Sequence, residues 1–191
     1  MQHPSELQAS SPEHRHDPGG KVRKHLPDGV LGRAEFSDCG LYRPVLWREL
    51  GTPSGNYALW VAMNPSTASA TVDDSTIARE WYFTAREGYQ RMAKTNVMDY
   101  RATKPRDLRV TGVAPRSAAN LPTIQALASQ ASIVILAFGA LHPRLAHYGQ
   151  DVVNLMREMG ITPWCLGLTK KGAPRHPLYL RKDTLLRPYQ L

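Results

Sequence analysis

The 191-residue sequence predicts an α/β domain in three layers: a mostly parallel central sheet of about four strands between helices, extended by an N-terminal β-hairpin. Three observations predict it. Short strand-like apolar runs alternate with longer segments of helical period through most of the chain. Strand–helix–strand alternation requires parallel pairing through right-handed crossovers. The run from Ser132 to Phe138 is continuously apolar, the pattern of a strand covered on both faces.

Residues 1–33 are rich in Pro, Gly, Ser and His and lack apolar periodicity, so they read as a disordered or weakly ordered tail before a single α/β domain at 34–191. LYRPVLWREL and NYALWVAM flank the turn-rich GTPSG, which predicts a hairpin. A helix is expected over 75–87, capped by Asp74 or Ser75 and stopped at Gly88, with Ile77, Trp81 and Ala85 on one buried face. A strand over 91–98 follows. A helix over 121–130 comes next, with Asn120 as its cap and Pro122 in the first turn. Beyond the 132–138 strand, a helix over 143–159 ends at Gly160, and a short strand over 163–166 closes the series.

Composition narrows the function classes. Hydrophobic residues make up 42% and charged residues 21%, ordinary for a water-soluble domain. Two cysteines, Cys39 and Cys165, give neither a disulfide framework nor a four-cysteine zinc site and suit a reducing, cytoplasmic setting. The apolar run Ile133 to Phe138 is too short for a bilayer, and the first twenty residues hold no apolar stretch of the secretory type. No membrane partner is expected. The net charge is +8, and residues 1–35 contribute none of it, with five Lys/Arg against five Asp/Glu. Seventeen of the 24 basic residues are Arg, which forks onto phosphate or carboxylate. An anionic partner, nucleic acid or nucleotide, is the expectation beside that of a plain solvated surface.

In an open parallel sheet, ligands bind beyond the carboxyl ends of the strands. Those ends carry Asn64-Pro65-Ser66-Thr67, then Asn96 with Asp99-Tyr100-Arg101-Ala102-Thr103, then Gly139-Ala140, then LTKKGAPRHPLYL with Lys170, Lys171, Arg175 and His176. Pro65 biases Asn64 toward an extended shape and holds its amide at a cleft mouth. Of Asp73 and Asp74, one suffices to cap the following helix and the other is available for chemistry; the sequence does not say which. His142 and His147 are five apart and do not share a helix face, so no metal site is expected from them. There is no GxGxxG, HExxH or GxSxG, and no cofactor is expected.

The stretches MNPSTASATVDDSTI, NVMDYRATKPRDL, ILAFGA and LGLTKKGAPRHPLYL resemble the bacterial and phage family called "domain of unknown function 1643", over roughly residues 36–188. A more distant likeness implies an activity. Ala62-Met63-Asn64-Pro65-Ser66 is similar to the GxNPG motif of mismatch-specific and single-strand-selective uracil-DNA glycosylases, whose Asn positions the attacking water. Phe138-Gly139-Ala140 resembles their WG(A/S), and His176-Pro177-Leu178 the start of their HPSPL, whose His bonds a base carbonyl. Ala62 and Ser66 stand where those enzymes have glycine, no Ser follows the His-Pro, and His176 lies about ten residues beyond the last expected strand.

The resemblance implies a uracil-DNA-glycosylase-like fold and water-mediated cleavage of an N-glycosidic bond, in DNA or a related nucleoside. Catalytic roles would fall to Asn64 and His176, with Asp73 or Asp74 assisting as base. Pro65, Ser66, Thr67, Asn96, Thr103 and Gly139 would shape the pocket, Tyr100 or Trp81 would stack on the base, and Arg101, Lys170, Lys171 and Arg175 would grip phosphates. A binding module without turnover, and an enzyme acting on a small anionic metabolite, are the other two readings of the same rim.

Overall fold

A seven-stranded mixed sheet, β2-β3-β6-β4-β7-β8-β9 in spatial order, organises the chain in the computed structural model, which describes residues 23–51 and 55–190. The strands are β2 (Val30–Glu35), β3 (Val45–Leu50), β4 (Ala58–Ala62), β6 (Arg91–Asn96), β7 (Ile133–Leu136), β8 (Trp164–Cys165) and β9 (Arg187–Pro188). β1 (Lys24–His25) and β5 (Val72–Asp73) form a separate antiparallel pair. The helices are α1 (Ser75–Arg86), α2 (Asn120–Ala128) and α3 (Ala146–Glu158).

The strands β6, β4, β7 and β8 run parallel, and β2, β3 and β9 add antiparallel margins. The sheet is therefore wider and more mixed than the expected one. The expected hairpin between β3 and β4 does not form: β6 lies between them, antiparallel to β3 and parallel to β4. GTPSG is a local turn signal, but β4 buries all five of its residues and so takes a neighbour on each side. The hairpin partner of β3 is β2, in register from Val30↔Leu50 to Glu35↔Val45. Residues 24–25 and 30–33, assigned to the tail by composition, are thus strand; residues 1–22 lie outside the described residues.

Alternation along β4 divides the interior in two. Leu59 and Val61 join Ile124 of α2 and Val152 and Met156 of α3. Ala58, Trp60 and Ala62 join Ile77, Trp81 and Phe83 of α1 on the other face. The three layers follow from crossovers that run in opposite directions along the sheet: β4 to β6 through α1, then β6 to β7 through α2 and β7 to β8 through α3. The buried stripe of α1 includes Ile77, Glu80, Trp81 and Thr84, while Ala85 is exposed, so the face is turned from the spacing-four reading. Asn120 is not a cap: it is the first residue of α2, is buried, and its Nδ2 donates to Asn96 O at 3.0 Å.

Candidate functional site

The chain leaves β4 through α1 to reach β6 on one side, and later reaches β7 on the other. The strand order therefore reverses at the β4/β7 boundary, where such sheets open a crevice beyond their carboxyl ends. A cavity of about 460 Å³ occupies that place, walled by Ala62, Met63 and Asn64 after β4 and by Phe138, Gly139 and Ala140 after β7.

The Asn64 carboxamide is held from behind. Its Nδ2 donates to Pro65 O at 2.8 Å and to Ala102 O at 2.7 Å. Both partners are carbonyls, so the amide nitrogen must face them, and Oδ1 is left with no hydrogen bond among the described residues. Pro65 O also accepts from Ala102 N at 2.9 Å, tying the Asn-Pro turn to the segment after β6.

His176 lines the same cavity although its sequence position is remote. A short hairpin carries it there. Leu168 bridges Pro174, Thr169 N donates to Ala173 O, and Arg175 N donates to Gly167 O at 2.8 Å. The excursion folds back on itself, so His176 arrives as though it followed β8 directly. Gly139 N then donates to Pro174 O at 2.8 Å. Gly139 has φ +70°, a turn conformation that favours glycine, and its Cα side faces the Cβ of His176 at ordinary contact distance. Nδ1 of His176 accepts from Leu178 N at 3.3 Å, so that in this geometry Nε2 is the nitrogen that carries a ring proton.

Asp74 is the cap of α1: its Oδ1 accepts from Thr76 N at 2.8 Å and Ile77 N at 3.0 Å. It also lines the cavity. Asp73 does not. Only 1% exposed, it receives Nε and Nη2 of Arg48 on Oδ1 at 2.8 and 2.7 Å. Burial pushes its carboxyl above the ordinary aspartate value against the pull of Arg48. The pair of adjacent carboxylates is thus resolved into one buried ion-pair partner and one cavity residue.

Ser66 and Thr103 meet on the cavity wall, with Ser66 Oγ 3.4 Å from Thr103 Oγ1. Pro65 and Thr67 are buried and do not line it. Asn96 is buried at the end of β6 and does not line the cavity; neither of its amide atoms is hydrogen-bonded among the described residues. The residues expected to stack on a base or grip phosphates lie away from the cavity lining. Tyr100 packs edge-on against Tyr42, with ring centres 5.7 Å apart, and Trp81 is core. Arg101 is buried, donates to Gly40 O at 3.1 Å and stacks on Phe36, so it braces the loop after β6. Lys170 and Lys171 lie at the exposed tip of the hairpin, and Arg175 is exposed at its base; none borders this cavity.

The inner wall holds groups the sequence did not single out. Arg43 and Lys94 both line it. Lys94 is ion-paired through Nζ with Oε1 of Glu80, which α1 presents to the sheet. Burial raises the Glu80 carboxyl to about 7 despite Lys94, and lowers Lys94 from its ordinary value. Burial likewise lowers Arg43 to about 10. The signal was present: Glu80 occupies the apolar stripe of α1, and Lys94 shares with Met92 the inward period of a strand.

Among the described residues there is no cluster of three metal-ligating side chains, and no helix is long and apolar enough to cross a membrane. Cys39 and Cys165 are both free. Residues 43–178 match the model of the family described as "Protein of unknown function (DUF1643)", and the chain belongs to that family. No curated protein and no solved structure matches the chain.

Proposed function

We propose that this member of the family is an N-glycosylase-like hydrolase acting on a base in DNA or on a related nucleoside. One observation carries the reading: Asn64, its amide nitrogen anchored on two backbone carbonyls, and His176 border one cavity at the topological switch point. The likeness of Met63-Asn64-Pro65 and His176-Pro177 to uracil-DNA glycosylase motifs supports it. The return hairpin also accounts for the sequence offset of His176 from that pattern.

The bond between the sugar anomeric carbon and the base nitrogen breaks, and its electron pair stays with the base. His176 Nε2–H stabilises the charge that grows on a base carbonyl oxygen. Asn64 Oδ1 accepts a hydrogen bond from a water and aligns its lone pair with the anomeric carbon. The water oxygen bonds to the sugar, and the proton it loses passes to the released base. In a duplex the target must first leave its stack, at a cost of a few kcal/mol. Lys104 and Arg106, exposed on either side of the cavity residue Pro105, would meet backbone phosphates in this reading.

A second reading has its own support. Ala62 and Ser66 both line the cavity where the glycosylase motif has glycines, which narrows the approach of a base and suits binding without turnover. Oligonucleotides carrying uracil, mismatches or modified pyrimidines separate the two. Base release that disappears in Asn64→Ala is expected; binding without release across the panel ends the hydrolase reading and leaves the binding module. Binding to no oligonucleotide leaves the small anionic metabolite.

A further inference from the structure

Two guanidiniums are buried against the α1 side of the sheet, and they are served very differently. Arg48 gives Nε and Nη2 to Asp73 and further bonds to the carbonyls of Trp47, Ser69 and Val72. Arg43, 1% exposed, gives Nη1 to Ala68 O and nothing else among the described residues. Its Nε has no acceptor there, and it forms no ion pair with any of them. A guanidinium carries five N–H donors, and leaving them unmade in the interior is costly. Arg43 lines the cavity, so a bound molecule is what can complete it.

Asp74, 5% exposed, faces the same cavity in a complementary condition. Its Oδ1 is taken by the two amides at the start of α1, and Oδ2 has no hydrogen bond among the described residues. An anion bound at Arg43 would meet this carboxylate, and a cation bound at Asp74 would meet Arg43 and Lys94. A neutral group offering an acceptor and a donor side by side satisfies both.

We propose that Arg43 and Asp74 read the lactam edge of a nucleobase, Arg43 donating to the carbonyl oxygen and Asp74 accepting from the adjacent ring N–H. The substrate class is then uracil-, thymine-, hypoxanthine- or guanine-like. Cytosine and adenine present a bare ring nitrogen toward Asp74 and an amino group toward Arg43, which reverses both bonds. This inference rests on the base-binding reading of the cavity and adds the specificity that reading lacks.

The test is an NMR titration of the full chain with four bases methylated at the nitrogen that would bear the sugar (1-methyluracil, 1-methylcytosine, 9-methylhypoxanthine and 9-methyladenine), following the amides of Met63, Ser66 and Gly139. The uracil and hypoxanthine derivatives are expected to bind about tenfold or more tightly than those of cytosine and adenine, the scale on which sites that pair with polar edges discriminate. Asp74→Asn keeps a good helix cap and so keeps the fold, while replacing an acceptor-only group by an amide. It is expected to bring the ratio below about threefold. Arg43→Gln is expected to do the same where it folds. Equal affinity for the four bases, binding of none of them, or an unchanged ratio in Asp74→Asn overturns the proposal. A preference for lactam bases without base release from oligonucleotides ends the hydrolase reading alone; release without that preference ends this one alone.

Discussion

The two faces of the sheet are built from different materials. Beneath α2 and α3 lies an apolar cluster: Leu59, Val61, Ile124, Val134, Val152 and Met156 meet there without a charge among them. Beneath α1 an equally buried layer admits Arg43, Arg48, Asp73, Asp74, Glu80 and Lys94. The apolar face needs only shape, and its burial stabilises by roughly 25 cal/mol per Å². The charged face removes ions from water, which well-packed hydrophobic residues would often match or better in stability. Charge kept at such a cost beside a cavity points to a use, and the difference between the faces locates that use on the α1 side.

The comparison is broken most forcefully through function. Asn64→Ala should lower the rate of base release by about 10²–10³, the effect of removing one preorganised polar group that meets a transition state. Its melting temperature should move far less than that of a core variant. Met156→Ala is such a variant. On the apolar face it should cost about 2–5 kcal/mol in urea unfolding and leave base discrimination by the folded fraction unchanged. Asp73→Ala strands Arg48 without its carboxylate and should cost about 3–5 kcal/mol.

Replacing both partners sharpens the contrast. Glu80→Leu with Lys94→Met exchanges a buried ion pair for apolar volume and should be neutral or stabilising by about 1–4 kcal/mol, while ligand binding at the cavity is lost. A double variant that is both less stable and fully functional would show that the pair serves packing rather than the cavity.

Glu80 also sets a pH signature. Its folded value of about 7 lies above the ordinary 4.5, so its neutral form is the one folding favours. The stability this contributes is present below about pH 4.5 and is lost as the pH rises through about 7. Urea titrations should show Glu80→Gln gaining on the parent protein between pH 5 and 7. The smallest effect is expected at the hairpin tip. There Lys170→Ala or Lys171→Ala should flatten the salt dependence of single-strand binding by about 0.7 in log–log slope for each phosphate left without its cation.

Local chemistry made much of the fold legible. The strands β4, β6, β7 and β8 and all three helices fall where apolar period and stop signals put them, because each buries a face that its own residues define. What local pattern does not carry is partnership across the chain. β6 inserts between β3 and β4 although GTPSG reads as a hairpin turn, and VLGRAE becomes β2 although its surroundings resemble a tail. Gly32 in that strand shows why the segment settles there: a Cβ would overlap the carbonyl oxygen of Ala70, so β2 lies flush against the loop before β5.

The site follows the same division. Asn64, Ser66, Thr103, Gly139 and His176 come together because all follow strand ends, and the sheet gathers strand ends. Arg43 and Lys94 escape a reading based on strand ends because Arg43 precedes β3 and Lys94 lies within β6, and only the folded sheet brings both to the cavity wall. Arg101 misleads in the opposite sense: it reads as a free cation in a rim loop, when its bond to Gly40 and its stacking on Phe36 make it a brace.

The doubled-back segment between Gly167 and Arg175 has a practical corollary. Its two ends are bonded to each other, so the span between them is a detachable flap rather than a spacer. A protease cut between Lys170 and Lys171, or extra residues spliced in at that point, should leave the imidazole where it is. The same tip can then carry a fluorophore that reports on whatever approaches the opening.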